Sequence, residues 1–148
     1  MIFIGCDHGG YELKMEIYNY VKGEMRLDIT DMGCFSKDSV DYPDIAEVVA
    51  KSVLEKNGVG ILICGTGVGI SIAANKICGV RCALCSEEYS ARMTRKHNDA
   101  NILALGGRTT GVELAKSIVN TFLTTGFEGG RHQKRIDKIS SLEKNSSL

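Results

Sequence analysis

The sequence lacks an excess of either charge and lacks any long hydrophobic run. Its 18 lysines and arginines balance 18 aspartates and glutamates, so the formal net charge at neutral pH is zero. Such a chain has no broad electrostatic field to gather nucleic acid or a membrane surface, and no apolar stretch is long enough to span a bilayer. We therefore expect a small-molecule partner, with no nucleic acid and no membrane involved.

The amino terminus also lacks the basic region of a signal peptide. Residues 1–5 are apolar but few, and Asp7 follows soon after, which is typical of a β-strand. Without an export signal, the six cysteines indicate a reducing compartment and free thiols rather than disulfides. The predicted location is cytoplasmic.

Metal-site spacing is lacking as well. Cys82 and Cys85 suggest a redox or zinc pair, but they fall in a predicted strand, where residues three apart face opposite sides. We expect them to be small core residues. The chain has only three histidines, and no carboxylate pair stands beside them. The sequence therefore predicts neither a metal nor a cofactor.

What the sequence does contain is an alternation of short apolar runs with segments of helical periodicity. Five such runs, at residues 1–5, 26–30, 59–64, 80–85 and 101–105, alternate with helical patterns. This rhythm predicts an α/β fold, a Rossmann-like, doubly wound, five-stranded parallel sheet. Residues 1–148 form one predicted domain, in which residues 129–148 follow the last strand as a C-terminal helical arm.

The most informative stretch is residues 59–76, a predicted strand, glycine-rich loop and helix. Cys64 ends the strand, and glycines recur at alternate positions of the loop that follows. Glycines let a backbone approach a ligand closely, and the free N–H groups of a helix N-terminus attract negative charge. The same partial positive charge favours a thiolate at Cys64.

Three well-known sites are poor matches to this loop. A P-loop needs a lysine after its last glycine, and a Cys-loop phosphatase needs an early arginine, but Ile70 and Ser71 follow Gly69 and the first arginine is Arg81. The dinucleotide fingerprint needs glycine where Ile70 stands. Glu87 lies in the region expected for a ribose contact, so dinucleotide binding is kept as an alternative.

Two further segments are candidates for the site. Asp7 and His8 follow the first strand at the sheet edge where parallel α/β proteins bind ligands, although either residue also suits a helix cap. In the arm, Arg131, Arg135 and Lys138 fall at i, i+4 and i+7 and make one cationic stripe suited to a phosphate. A solvated charged face remains the alternative for that stripe.

Taken together and in order, these motifs resemble type B ribose-5-phosphate isomerase and its galactose-6-phosphate isomerase relatives. The resemblance covers nearly the whole chain. It rests on residues 6–10 (CDHGG), 41–43 (DYP), 64–69 (CGTGVG), 92–99 (ending HND), 106–108 (GGR) and 129–132 (GGRH).

The resemblance implies a homodimer that interconverts ribose 5-phosphate and ribulose 5-phosphate through an enediolate, a pentose phosphate pathway reaction that needs no cofactor or metal. Cys64 matches the family's base. Thr66 matches its anion hole, together with the backbone of Gly65, Gly67, Val68 and Gly69. His97 and Asp7 match its ring-opening groups. The matched sugar and phosphate ligands are His8, Asn98, Arg108, Arg131 and Arg135, with Tyr42 lining the pocket.

In that family the histidine segment and the terminal arginines reach the Cys loop of the other subunit, so shared active sites are implied, with a tetramer of dimers as the larger alternative. His132 is expected to be structural or a secondary phosphate contact. Three other functions stay open: an isomerase of a six-carbon sugar phosphate (allose 6-phosphate or galactose 6-phosphate), a noncatalytic nucleotide-binding module, and a noncatalytic subunit of a heteromeric isomerase.

Overall fold

The computed structural model of the chain describes residues 1–145, in which five parallel strands form a single sheet between two layers of helices. The last three residues of the predicted arm, 146–148, lie outside the described residues. The elements are β1 (Ile2–Cys6), α1 (Tyr11–Asn19), β2 (Ile29–Asp31), α2 (Tyr42–Lys56), β3 (Val59–Cys64), α3 (Val68–Asn75), β4 (Cys82–Leu84), α4 (Glu88–Asn98), β5 (Ile102–Gly106), α5 (Val112–Thr124) and α6 (Arg131–Asn145).

The predicted doubly wound parallel sheet is confirmed, with strand order β2-β1-β3-β5-β4. Alternate residues of each central strand enter opposite cores, as the pleat requires. On β3, Ile61 and Ile63 face the core formed with α1, α4 and α5, whereas Leu62 and Cys64 face the core formed with α2 and α3. Because both faces are covered, the central strands read as continuous apolar runs.

Two predicted strands are shorter than expected. The second begins at Ile29 rather than residue 26, because Arg26 has a left-handed backbone (φ 57°) that no strand accommodates. The fourth spans only Cys82–Leu84, since Val80 still belongs to the turn that ends α3 and its amide donates to the carbonyl of Ile77. Both are edge strands, which pair on one side only.

The C-terminal helix folds back onto its own chain. His132 and Ile136 of α6 are buried, and α6 packs against α4. Farther along, the carboxylate of Glu143 accepts the amide of Gly79 at 3.1 Å and the thiol of Cys78 at 3.1 Å. The arm therefore lies along the β4 side of its own sheet. Within residues 1–145, no helix combines the length and apolarity needed to cross a membrane.

Candidate active site

The strand order creates a crevice between β1 and β3. From β1 the chain passes to β2 on one side, and it returns to β3 on the other side of β1. Connections that diverge in this way leave an opening at the carboxyl ends of the two strands, where open α/β sheets bind ligands. The loop with Asp7 and His8 leaves β1 at this point, and the Cys64 loop leaves β3 beside it.

Main-chain hydrogen bonds tie the loops of this edge to one another. The amide of Asp7 donates to the carbonyl of Ile63 (3.1 Å), that of Gly107 to Cys64 (2.8 Å), and that of Arg108 to Gly65 (2.9 Å). Three strand ends are thereby held in register by backbone groups alone. Arg108, from the loop after β5, is placed beside the Cys64 loop.

Cys64 is buried and points into its own glycine loop. Its side chain is 5% exposed, and its Sγ accepts the amide of Gly67 at 3.2 Å. Gly67 has φ 77°, a left-handed conformation, and a Cβ there would lie 2.5 Å from Leu84 Cδ1. Only glycine fits, so the alternating glycines allow the chain to curl around the sulfur.

The loop presents backbone donors to the crevice. The hydroxyl of Thr66 accepts the amide of Val68, the first residue of α3, at 3.3 Å. The amides of Gly65, Thr66 and Gly69 donate to no group among residues 1–145. Free amides at a helix N-terminus form a preorganised site for an anion or a developing oxyanion.

Asp7 and His8 are both oriented by main-chain amides. The carboxylate of Asp7, which is buried, accepts the amide of Gly9 (2.9 Å) and caps the short 3-10 turn before α1, so the capping role left open above is present. The Nδ1 atom of His8 accepts the amide of Val40 (3.3 Å). In its neutral form His8 therefore carries its ring proton on Nε2.

Two cavities flank this edge. One, of about 220 Å³, is lined by His8, Gly9, Glu12, Leu13, Lys37, Gly107 and Arg108, and the other, of about 480 Å³, by Asp7, His8, Ser39, Val40, Asp41, Tyr42, Pro43 and Asp44. The Tyr42 ring lies against Gly69, since a Cβ there would meet its Cζ at 2.7 Å. The crevice is thus continuous with space for a small polar ligand.

Glu12, Lys37 and Val40 are neighbours of the site that the sequence did not reveal. Lys37 and Glu12 form an exposed ion pair at 2.7 Å, and the hydrogen bond from Lys37 lowers the pKa of the Glu12 carboxyl. The partners are 25 residues apart, and no local pattern marks either one.

The remaining candidate residues form a second group on α4 and α6. His97 stacks on His132 with ring centroids 4.2 Å apart, which joins the end of α4 to the start of α6. Arg131 and Arg135 are exposed on the same helix as His132. Arg81, the residue before β4, donates from its Nε to the carbonyl of Asn98 at 2.8 Å. The second group therefore lies near the edge where strands begin.

One chain does not bring the two groups together. Cys64 stands at the carboxyl end of β3, whereas Asn98 is held at the amino end of β4. The six residues of β3 separate these two edges of the sheet by about 16 Å. The family resemblance implied a site in which Cys64 and His97 come from different subunits. Within a single chain the structure places these two residues at opposite edges of the sheet.

Three ligand-type side chains meet at the junction of α4 and α6. His97, Glu128 and His132 each contribute one ligand atom, and these three atoms lie within 4.8 Å of one another. No other such group of three is found among the described residues. No metal-site spacing marks this group in the sequence, because the histidines are 35 positions apart and converge only through packing.

Two alternatives lose support. Glu87, the expected ribose contact of a dinucleotide site, caps α4 by accepting the amide of Ser90 (3.0 Å), and β5 separates its strand from β3. Cys82 and Cys85 pack into opposite cores, as expected, and burial raises the pKa of their thiols to about 12 and about 11. All six cysteines are free thiols in the structure.

Known proteins match this chain over almost its full length. The family model described as Ribose/Galactose Isomerase matches residues 2–139. Ribose-5-phosphate isomerase B of Escherichia coli is 51% identical over 144 residues, covering 96% of this chain and 95% of that protein. A putative sugar phosphate isomerase of Bacillus subtilis is 51% identical over the same length, covering 96% of each chain.

Solved structures agree in fold. The ribose-5-phosphate isomerase B of Clostridium thermocellum superimposes with a TM-score of 0.96 at 52% identity, covering 99% of both chains. The type B enzyme of Leishmania infantum gives a TM-score of 0.93 at 44% identity, covering 98% of this chain and 97% of that one.

Proposed function

The chain belongs to the ribose/galactose isomerase family, and from that premise we propose that it interconverts D-ribose 5-phosphate and D-ribulose 5-phosphate. It is a sugar-phosphate isomerase, an intramolecular oxidoreductase. The structural observation that carries the proposal is the Cys64 loop, where a sulfur and free backbone amides share the crevice between β1 and β3.

Cys64 acts as the base in this proposal. Its thiolate takes the proton from C2 of the open-chain aldose and returns a proton to C1, while the hydroxyl proton moves from O2 to O1. Overall, one hydrogen is transferred from C2 to C1, and no external oxidant is needed. The C2 proton is weakly acidic, so the enediolate oxygen must be stabilised, and the amides of Gly65, Thr66 and Gly69 are the fixed donors for that charge. The Thr66 hydroxyl and the backbone of Gly67 and Val68 complete this anion hole.

Ring opening precedes proton transfer. It needs an acid and a base near the ring oxygen and the anomeric hydroxyl, and we assign these roles to His97 and Asp7. His8, Asn98 and Arg108 hold the sugar together with Tyr42, and Arg131 with Arg135 pair with the phosphate through forked donors. Arg131 and Arg135 are exposed in the single chain and have room for such a ligand.

The two halves of the site are joined in a homodimer. His97, Asn98, Arg131 and Arg135 of one subunit complete the Cys64 crevice of the other, and a symmetric dimer then contains two such sites. This assembly is supported by the separation of the halves within one chain. A tetramer of two dimers preserves the same sites. We place the enzyme in the cytoplasm, a reducing compartment that suits its six free thiols.

A six-carbon sugar phosphate is the alternative substrate, since the family description includes a galactose isomerase. Allose 6-phosphate and galactose 6-phosphate differ from the ribose ester by a carbon or by the configuration of a hydroxyl. Such differences are worth about 1–3 kcal/mol in a binding pocket. A panel of these three substrates, compared by kcat/KM, identifies the preferred one.

The base is tested by Cys64→Ala. We expect turnover of ribose 5-phosphate and exchange of its C2 proton with ²H₂O to fall by about three orders of magnitude, with ligand binding by calorimetry nearly unchanged. Cys78→Ala is the matched control, because Cys78 is an exposed thiol outside the crevice and its loss leaves turnover normal. Near-normal turnover in Cys64→Ala would reject the assigned base.

The ring-opening role is tested by His97→Asn. We expect this change to slow the cyclic substrate far more than a substrate supplied in its open-chain form, because only the cyclic form needs the acid and base. Equal losses on both forms would remove the role from His97.

A further inference from the structure

His132 contains a polar atom that the fold leaves unpaired. Its side chain is buried, and Nε2 has no hydrogen-bond partner among the described residues. The nearest carboxylate oxygen, Oε1 of Glu128, is 4.0 Å away, which is beyond hydrogen-bond distance. A buried nitrogen without a partner costs free energy, so its retention calls for an explanation.

The backbone holds Glu128 and His132 beside His97. The amide of Glu128 donates to the carbonyl of Lys96 at 3.1 Å, which fixes that residue against the last turn of α4. Gly129 and Gly130 then both adopt left-handed conformations, with φ 72° and 58°, and turn the chain into α6. Glu128 and His132 therefore approach His97 from one side, and ligand atoms of the three lie within 4.8 Å.

The chemistry of the cluster suits a divalent transition metal. Two imidazoles and one carboxylate form the three-ligand set of many zinc sites, and imidazole disfavours Mg²⁺ and Ca²⁺. Burial, together with the nearby charges of His97, Arg131 and Arg135, lowers the pKa of His132, whereas Glu128 opposes this shift. The neutral form of the His132 ring has a lone pair on one nitrogen, and that form binds a metal ion.

We infer that His97, Glu128 and His132 form a binding site for a zinc-type divalent ion, and that the occupied site inhibits the enzyme. Ligand atoms around a tetrahedral zinc lie about 3.3 Å apart, so binding draws the cluster together by about an ångström. A metal lies in the plane of each imidazole that binds it, so one ring leaves the stacked arrangement. His97 is half-buried and is the ring that turns.

The inhibitory effect rests on the proposed function, because it follows from the ring-opening role of His97. An ion bound to its nitrogen withholds the lone pair that ring opening needs. Arg131 and Arg135 carry positive charges near the cluster and weaken cation binding. We therefore expect a reversible site that responds to zinc concentration rather than a permanently loaded one.

Binding is tested without reference to activity. Calorimetry with ZnCl₂ is carried out on the full-length Cys64→Ala/Cys78→Ser protein, which removes the loop thiol and the exposed thiol as competing ligands. We expect about one ion per chain, and an affinity at least about tenfold weaker when Glu128→Gln is added. Glu113→Gln, a change of an exposed carboxylate on α5, is the matched control and leaves the affinity unchanged.

Inhibition is measured separately in the Cys78→Ser protein with Cys64 intact. We expect zinc to lower turnover of ribose 5-phosphate, EDTA to restore it, and Glu128→Gln to require about tenfold more zinc while retaining basal activity. The site would be overturned if the Cys64→Ala/Cys78→Ser protein bound no zinc. It would also be overturned if Glu128→Gln left the zinc affinity of that protein unchanged. Tight binding at the site with undiminished turnover would overturn the inhibition. A protein inactive even with EDTA would refute the proposed function, and the calorimetric result would still decide the site.

Discussion

Subunit complementation tests the division of the site into two halves. Cys64→Ala removes the assigned base from the carboxyl edge of the sheet, and Arg131→Ala removes a phosphate ligand from α6. Each homodimer has the same defect in both of its sites, so each is nearly inactive. If the halves come from different subunits, an exchanged mixture recovers activity, because a mixed dimer contains one site with an intact Cys64 and an intact Arg131.

The size of the recovery follows from the geometry. Random pairing of equal amounts makes about half of all dimers mixed, and each mixed dimer has one intact site of two. Recovery therefore approaches about a quarter of the wild-type activity at the same total concentration. The assay is turnover of ribose 5-phosphate after dissociation and reassociation, and native mass spectrometry of tagged subunits verifies the exchange.

A second mixture gives the reciprocal result. When wild type is exchanged with the double variant Cys64→Ala/Arg131→Ala, shared sites leave both sites of a mixed dimer defective, so about a quarter of the activity remains. If each subunit instead builds its own site, about half remains and the first mixture stays at the level of its parents. Either of these two results, with exchange verified, would refute the shared site and assign Arg131 to a site within one chain.

Two stability predictions concern Gly67 in the Cys64 loop and Lys14 on α1. Gly67→Ala places a Cβ at φ 77° and against Leu84, and we expect it to lower the free energy of unfolding by about 1–3 kcal/mol in urea, whereas Gly111→Ala, with open space around it, leaves it unchanged. Lys14→Met removes the fully buried partner of Asp31 and should cost about 3–5 kcal/mol, and a smaller loss than that would contradict the pairing argument.

The stretch predicted best was β3 with its loop and helix. Both faces of β3 are buried, so its sequence is a continuous apolar run, and its observed bounds, Val59–Cys64, agree with the prediction. Edge strands were predicted less well, because a strand with one neighbour needs fewer apolar residues and its ends depend on local turns. The left-handed backbone of Arg26 prevents β2 from beginning at that residue, and no propensity scale predicts this conformation for arginine.

Contacts between residues far apart in the sequence were not predictable. Lys14 looks like an ordinary helix-surface lysine, yet it is fully buried and its Nζ bonds both carboxylate oxygens of Asp31 at 2.8 Å. The packing of α1 on β1 and the pairing of β1 with β2 together bring these residues into contact, and no local sequence pattern marks that contact. The meeting of His97 with His132 likewise depends on the direction in which α6 leaves Gly130, which two left-handed glycines set.

The backbone ties between the loops at the carboxyl edge determine which substitutions this enzyme tolerates. Those bonds use N–H and C=O groups, which every residue except proline provides in full, so exchanging side chains does not delete them. Damage instead concentrates where added bulk would push strands apart, as at Gly107, whose Cβ would lie 2.7 Å from the carbonyl oxygen of Gly9. Rim side chains such as Tyr42 and Arg108 are free of that constraint, and a change of sugar preference by substitution there leaves the anion-binding frame folded.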